Sequence, residues 1–143
     1  MATALFQKIL LPVDGSSYSM DAARRAASLA RELGSRVLLL HVRDRVPDFL
    51  GDPYYQKMLD QALARAEQLV RPYLELLREA GVPVEERLLE GDPAKNILTV
   101  AAVEGCDLIV MGSRGLSDLE GLLLGSVSHK VLSSAPCPVL IVR

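Results

Sequence analysis

Five short runs of apolar residues, separated by longer amphipathic segments, constrain the fold of this chain more than any other feature. Each run has the length and the branched apolar composition of a buried β-strand, and turn-forming residues bound it. The runs are residues 8–13, 37–42, 84–89, 107–111 and 139–142. Such regular alternation predicts an α/β fold, an open twisted five-stranded parallel sheet with helices on both faces. The alternation leaves the order of the strands open.

The segments between these runs predict four helices. The first, residues 18–33, repeats alanine and leucine at helical spacing and ends at Gly34. The second starts near Asp52-Pro53, with Pro53 at its first position, and continues to Gly81. Pro72 inside it predicts a kink or two helical segments. The third opens after Asp92 and closes at Gly105, and the fourth covers residues 126–134.

Glycines after the fourth apolar run have the spacing of a phosphate-binding loop. Gly112 and Gly115 follow the strand directly, and after nine intervening residues Gly125 and Ser126 open the next helix. Glycine lets an anion approach the main chain, and the first residues of a helix present unpaired N–H groups. The stretch contains neither GxxxxGK[ST] nor GxGxxG, which excludes a P-loop and the dinucleotide fingerprint. The plainer alternative is two turn glycines followed by a helix-start glycine.

Composition argues against several other functions. The chain has 143 residues, which suits one domain over residues 1–143 with a substantial core. A net charge of −2 without a basic block gives nucleic-acid binding no support. The first residues lack the basic region of a signal peptide, and no apolar stretch approaches the ~20 residues that span a bilayer. A cytosolic protein without nucleic-acid or membrane contacts is therefore expected.

The whole chain, from KILLPVDGS near its start to PCPVLIVR at its end, resembles the ATP-binding branch of the universal stress protein family. The G-x2-G-x9-G-S pattern of residues 112–126 is the most specific part of this likeness. The resemblance implies a Rossmann-like sheet of strand order 3-2-1-4-5, which reverses between the first and fourth strands. Ligands bind such sheets beyond the carboxyl ends of the strands at the reversal. The turns at Asp14 and Gly112 would then flank one crevice.

The resemblance also implies binding roles for twelve residues. Three match the adenosine-contacting turn after the first strand, and one matches a position along the adenine at the end of the second strand. Four match the ribose and phosphate segment, and four match the phosphate-gripping helix start. In that order the residues are Pro12, Val13 and Asp14; Val42; Met111, Gly112, Arg114 and Gly115; and Gly125, Ser126, Val127 and Ser128.

Several of these residues have a structural alternative. Asp14 could cap the first helix, and Val42 could belong to the core. Arg114 could be a solvated loop residue, although a guanidinium between two glycines of the loop is well placed for phosphate. Ser126 and Ser128 could serve only as helix caps.

The function implied by the resemblance is that of a regulatory or stress-response protein that binds ATP with Mg²⁺, the metal being held mainly by phosphates. The alternative is an enzyme related to the adenine nucleotide alpha-hydrolases that cleaves ATP. Neither His41 nor His129 lies in the glycine motif, and both suit structural or surface roles. Asp118 and Glu120 are the nearby carboxylates and are interpreted as exposed loop charges. Any ATP hydrolysis should therefore be slow, and no catalytic residue is assigned.

The last apolar run predicts how the protein assembles. No crossover follows residues 139–142, so this strand should lie at a sheet edge, where an apolar run is a template for pairing. Pairing with the same strand of a second copy would give a closed homodimer, and the resemblance implies the same interface. The alternative is an edge that a loop of the same chain covers.

Two cysteines, Cys106 and Cys137, precede the fourth and fifth strands. The strand order implied by the resemblance makes these strands neighbours, which would bring the two Cα atoms within about 7 Å, the limit for a disulfide. A cytosolic setting nevertheless favours free thiols.

Overall fold

The computed structural model describes residues 5–116 and 123–143. The strands in this part of the chain are Lys8–Pro12 (β1), Arg36–Arg43 (β2), Val84–Glu90 (β3), Leu108–Gly112 (β4) and Val139–Val142 (β5). The α-helices are Ser17–Leu33 (α1), Tyr54–Glu79 (α2), Pro93–Val103 (α3) and Ser126–Ser134 (α4), and a 3-10 turn covers Asp48–Leu50. None of the helices in the described residues is long and apolar enough to cross a membrane.

The five strands form one sheet in the order β3-β2-β1-β4-β5, and every pairing is parallel. β1 lies at the centre, where Leu10 pairs with Leu38 of β2 on one side and with Ile109 of β4 on the other. The predicted five-stranded parallel sheet and its strand order are confirmed. Because the order reverses between β1 and β4, their carboxyl ends lie side by side with the loops that follow them.

Side chains alternate across the central strands and feed two separate hydrophobic clusters. On one face, Ile9 and Leu39 pack with the alanine-rich side of α1 and with Val70 and Leu77 of α2. On the other face, Leu10 and Leu38 pack with residues of α3 and α4. These strand residues are almost fully buried, as expected of parallel strands covered on both faces. The prediction of helices on both faces is confirmed.

Local capping residues account for where two helices begin and where one of them ends. The Ser16 hydroxyl accepts a hydrogen bond from the N–H of Ser19 and caps α1, which ends at Gly34 with φ of 70°. Asp92 caps α3 by accepting from the N–H of Lys95, and proline occupies the first position of that helix. Each of these ends agrees with the sequence prediction, because the caps act over only three or four residues.

Helix α2 differs from the expectation in two details. It is one continuous helix of 26 residues with Pro72 inside it, so the prediction of two helical segments is wrong. Pro53 is its N-cap rather than its first helical residue. Val70 and Tyr73, on either side of Pro72, are both about 2% exposed, whereas Pro72 lies on the exposed side. Packing of the buried side therefore keeps both halves in one helix despite the lost N–H donor.

Cys106 and Cys137 are both free thiols in this structure. Cys106 is buried beside β4, whereas Cys137 is half-buried ahead of β5. Burial raises the pKa of Cys106 to about 11 and also raises that of Cys137. Both thiols are consequently protonated at neutral pH and are poor nucleophiles.

Candidate functional site

A crevice opens where the sheet reverses, at the carboxyl ends of β1 and β4. Its cavity volume is about 250 Å³. The walls come from the ends of three strands, from the starts of α1, α3 and α4, and from the loop after β4. The lining residues are Pro12, Val13, Asp14, Ser19, Leu40, Val42, Pro93, Ile97, Met111, Gly112, Arg114, Gly115, Leu116, Ser126, Val127 and Ser128.

Eleven of the twelve residues that the sequence predicted for the site line this crevice. The twelfth, Gly125, is buried and is the N-cap of α4, directly before the lining residue Ser126. The sequence prediction missed five lining residues. One of them, Leu40, could have been found, because it lies two residues before Val42 and so shares its face of the strand. The others are Ser19, Pro93, Ile97 and Leu116.

One half of the crevice is an apolar slot on the sheet face that α3 and α4 cover. We define this slot by five residues that pack in or against the same hydrophobic cluster. Their side chains present a surface suited to a flat apolar group rather than to an ion. The slot consists of Leu40, Val42, Ile97, Met111 and Val127.

The other half of the crevice is polar and begins at the turn after β1. There the Asp14 carboxylate accepts hydrogen bonds from the N–H of Ser16 at 2.9 Å and from the N–H of Leu116 at 3.3 Å. Because Ser16 caps α1, the alternative that Asp14 is the cap is wrong. The carboxylate instead links the turn after β1 to the loop after β4.

A buried tyrosine of α2 supports the same turn. The Tyr73 hydroxyl lies 2.6 Å from Oγ of Ser19 and accepts a hydrogen bond from the N–H of Gly15 at 3.1 Å. Oγ of Ser19 also lies 3.1 Å from the Ser16 carbonyl oxygen, so the two hydroxyls and this carbonyl form one hydrogen-bonded chain. Burial raises the pKa of Tyr73 above its usual value, and the hydrogen bonds to Ser19 and Gly15 offset part of that shift.

His41 also holds the end of β1 in place. This residue of β2 is 9% exposed, and its Nδ1 lies 2.9 Å from the carbonyl oxygen of Val13. A carbonyl oxygen only accepts, so Nδ1 carries the proton. His129, by contrast, lies on the exposed side of α4. The arrangement gives His41 a structural role in shaping the crevice.

The packing of α1 gives Gly112 a structural reason to be glycine. A Cβ atom at this position would lie 2.8 Å from the carbonyl carbon and from Cβ of Tyr18, and 2.9 Å from its oxygen. Real Cβ atoms do not approach backbone atoms so closely. The missing side chain therefore lets α1 pack against β4, and the approach of an anion to this glycine stays a prediction.

Arg114 is half-buried, and its guanidinium lies over the Tyr18 ring. It is therefore not a solvated loop residue. Its Cζ atom lies 4.8 Å from the centroid of the Tyr18 ring, within the range of a cation–π interaction. Its Nε atom is buried and has no hydrogen-bond partner among the described residues. A buried donor of a charged group that lacks a partner carries a desolvation cost, which an oxygen acceptor in the crevice would remove.

The first turn of α4 completes the polar half. Its N-cap, Gly125, has no side chain to cap the helix, and the N–H of Gly125 donates to the Ser113 carbonyl at 2.7 Å. Helical geometry leaves the next three N–H groups, of Ser126, Val127 and Ser128, without intrahelical partners at the positive end of the helix dipole. The Ser128 hydroxyl donates to the Ser113 carbonyl at 2.7 Å, so its proton is already committed.

Carboxylates and other metal ligands are sparse at this site. Among residues 5–116 and 123–143, no three His, Cys, Asp or Glu side chains converge to hold a metal ion. Asp14 is the carboxylate among the described lining residues. Asp118 and Glu120, predicted to be exposed loop charges, lie outside the described residues.

The fold and the site together define a parallel α/β protein whose switch-point crevice joins an apolar slot to the first turn of α4, where backbone N–H groups lack intrahelical partners. The sequence model of the Universal stress protein family matches residues 5–143. The chain therefore belongs to the universal stress protein family.

Individual proteins of the family agree with this membership. A universal stress protein of Thermus aquaticus is 46% identical over 140 residues, which cover 97% of this chain and 100% of that protein. The structure of the universal stress protein UspA from Lactobacillus plantarum matches with a TM-score of 0.86 at 27% identity, over 99% of this chain and 100% of that chain. A universal stress protein solved in complex with cAMP matches with a TM-score of 0.75 at 27% identity, over 99% of this chain and 98% of that chain.

Proposed function

We propose that this protein is a cytosolic regulatory protein that binds ATP, with Mg²⁺, in the crevice between the Asp14 turn and the start of α4. The observation that carries the proposal is the union of an apolar slot and an uncapped helix start in one cavity. A purine is flat and mostly apolar on its faces, whereas phosphates seek N–H donors and positive charge. The bound cAMP of a structural relative supports an adenine nucleotide as the ligand.

Different residues of the crevice contact different parts of the ligand. The adenine lies in the apolar slot, and the backbone N–H groups at the start of α4 donate to phosphate oxygens. The cavity of about 250 Å³ is slightly below the ~300 Å³ lower end of small-molecule sites. It therefore has room for a nucleoside, and the phosphates lie at its open mouth beside Arg114. Asp14 is placed to accept hydrogen bonds from ribose hydroxyls, which would replace the one that it accepts from the N–H of Leu116.

Mg²⁺ fits this site as an ion that the phosphates of the ligand coordinate rather than as an ion that protein side chains hold. The described residues offer no converging ligand set, and Mg²⁺ commonly keeps water and phosphate oxygens as its ligands. In-line hydrolysis needs a positioned base, but the described histidines are bonded elsewhere or exposed. We therefore expect turnover well below the ~1–100 s⁻¹ of kinases.

Titration calorimetry of a Gly115→Val variant with MgATP tests the proposal. Gly115 lies on the crevice wall, so a branched side chain there should obstruct the phosphates and weaken binding by about tenfold or more. Gly34→Ala is the matched control, because Gly34 ends α1 and a Cβ there meets no atom within 4 Å. The control should bind ATP like the wild type. Unchanged affinity in Gly115→Val would refute the site.

A turnover assay on the same samples separates the regulatory protein from a hydrolase. Mass analysis of nucleotide retained on purification identifies the ligand, and release of phosphate from ATP measures the rate. Turnover at kinase-like rates that disappears in Gly115→Val would replace the regulatory proposal with the alternative of an ATP-cleaving enzyme. Absence of any adenine nucleotide binding by the wild type would refute both.

We further propose that the protein forms a homodimer through β5. Two N–H groups, of Ile109 in β4 and of Ser113 just after it, donate to the carbonyls of Pro138 and Val142 respectively. Backbone groups alternate between the two edges of a strand, so those of Ile141 face the other edge. Among the described residues, no strand pairs with that edge, and Leu140 is 37% exposed beside it. A second copy of β5 would satisfy these groups in a closed two-fold contact.

Sedimentation of an Ile141→Pro variant tests the dimer. Proline removes a donor that faces the open edge and leaves the hydrogen bonds of Pro138 and Val142 to β4 in place. We expect a dimeric wild type, a dimeric Ile141→Val control and a monomeric Ile141→Pro variant. A monomeric wild type, or a proline variant that remains fully dimeric, would rule out β5 as the interface.

A further inference from the structure

We propose that Tyr18 is a positioning residue that presents the Arg114 guanidinium to the outer phosphates, and that it thereby makes the crevice prefer nucleoside triphosphates over monophosphates. This inference rests on the proposed nucleotide function. Tyr18 belongs to the first turn of α1 and is not among the described residues that line the cavity. Its effect on the ligand therefore passes through Arg114.

The close approach of α1 to β4 fixes where the Tyr18 ring lies. Backbone atoms of Tyr18 sit where a Cβ of residue 112 would otherwise be, at 2.8 and 2.9 Å from its ideal position. Only glycine at this point of β4 permits such packing. The backbone of Tyr18 is consequently held against the sheet at Gly112, which lies two residues before Arg114.

The ring in turn orients the guanidinium. Arg114 Cζ lies 4.8 Å from the ring centroid, which is within the ~6 Å range of cation–π attraction. A guanidinium is planar and carries its donors around its edge, so a ring that contacts its face limits where those donors point. Nε is already buried without a partner in the described part of the chain, while the residue lines the crevice. Oxygen atoms of a ligand are the acceptors that would satisfy it.

The two sides of the sheet explain why Arg114 meets the outer phosphates. Val127 belongs both to the apolar slot and to the first turn of α4, so the phosphate next to the nucleoside meets α4. Tyr18 belongs to α1, which covers the other side of the sheet from α3 and α4, and Arg114 contacts its ring from the loop after β4. A monophosphate ends near α4, whereas a longer phosphate chain extends to Arg114.

Calorimetry with ATP and AMP on Tyr18→Leu and Tyr18→Phe tests this role. The wild type should prefer ATP by about tenfold, since Arg114 adds a charged contact only to the longer chain. Tyr18→Leu should lose about fivefold in ATP affinity and nothing in AMP affinity, because leucine has no π face for the guanidinium. Tyr18→Phe keeps the ring and should keep the preference.

A double-mutant cycle shows whether Tyr18 acts through Arg114. In an Arg114→Gln background the charge is gone, so Tyr18→Leu should cause no further loss of ATP affinity. Arg114→Lys keeps the charge but lacks the planar fork, and it should lose most of the preference even with Tyr18 intact. If Tyr18→Leu proves unfolded by circular dichroism, the ATP preference of Arg114→Lys tests the inference instead.

Each contrary result points to a different failure. Equal loss of ATP and AMP affinity in Tyr18→Leu, or an undiminished loss in the Arg114→Gln background, would make Tyr18 merely structural and overturn the inference. Full preference in Arg114→Lys, or equal wild-type affinity for ATP and AMP, would also overturn it and leave nucleotide binding intact. A wild type that binds neither nucleotide would refute the proposed function itself.

Discussion

Replacing Tyr73 with phenylalanine would remove one hydroxyl group that ties the long helix α2 to the crevice turn. The ring is about 2% exposed and packs in the core between β1 and α2, so phenylalanine fills the same space. The hydroxyl takes part in a chain of hydrogen bonds that runs from the N–H of Gly15 through Tyr73 and Ser19 to the carbonyl of Ser16. The substitution therefore tests this chain without creating a large cavity.

The expected cost follows from the two hydrogen bonds that are lost. Each is worth ~0.5–1.5 kcal/mol net, which gives a sum of ~1–3 kcal/mol. Gly15 is exposed, so water can replace one of the two partners, whereas the partner Ser19 is 4% exposed. We therefore expect Tyr73→Phe to lower the free energy of unfolding by about 1–2 kcal/mol. The melting temperature should fall by roughly 2–8 °C.

Urea denaturation at a series of pH values measures this contribution. Burial raises the pKa of Tyr73 above its usual value of 10.0, so the unfolded chain releases the proton at a lower pH than the folded protein does. Stability from the protonated hydroxyl is fully present below pH 10 and is lost as the pH rises through the higher folded pKa. The difference between wild type and Tyr73→Phe should accordingly shrink above about pH 10.

Tyr54→Phe is the matched control on the same helix. Tyr54 is 66% exposed, so the loss of its hydroxyl should change the unfolding free energy by less than about 0.5 kcal/mol. A Tyr73→Phe variant as stable as the control at pH 7 would refute the reasoning about the hydrogen-bond chain. A difference that grows above pH 10 would refute the assignment of the raised pKa to Tyr73.

Three further substitutions or reactions have expected outcomes. Gly112→Ala should destabilise the protein by about 1–3 kcal/mol or more in urea, because its Cβ would overlap Tyr18 backbone atoms at 2.8–2.9 Å; wild-type stability would show that α1 can move away freely. Gly34→Ala should cost about 1–2 kcal/mol from its φ of 70° alone, with no effect on ATP affinity in calorimetry. Cys106 should react with a thiol reagent at pH 8 far more slowly than Cys137, since a pKa of about 11 leaves only about one thiolate in a thousand. Rapid labelling of both thiols in the folded protein would contradict the burial of Cys106.

Strand and helix positions were largely readable from the sequence because their signals are local. The spans of α4 and β5 agree with the predicted residues 126–134 and 139–142, and the cap at Asp92 opens α3 as expected. Period-two and helical spacing, caps and glycine stops all act within a few residues. Pro72 shows the limit of such reasoning, since contacts of Val70 and Tyr73 with distant residues keep α2 continuous.

The candidate site was readable in part for the same reason. The glycine spacing and the turn at Asp14 carried the family resemblance, which implied twelve residues, and eleven of these lie around one cavity. Pro93 and Ile97 were missed because they come from α3, and nothing in their local sequence shows that α3 borders this crevice. Ser19 was missed because only its contact with Tyr73 and the turn reveals its place.

The sequence by itself determined the alternation of strands and helices, the ends of most of them and the glycine-rich loop. These features depend on backbone geometry and on the burial of one face of each segment, which neighbouring residues specify. Only the tertiary structure decided why Gly112 is glycine and that Arg114 stacks on Tyr18. Those two contacts join residues almost a hundred positions apart, and their distances depend on how α1 packs against β4 rather than on any local pattern.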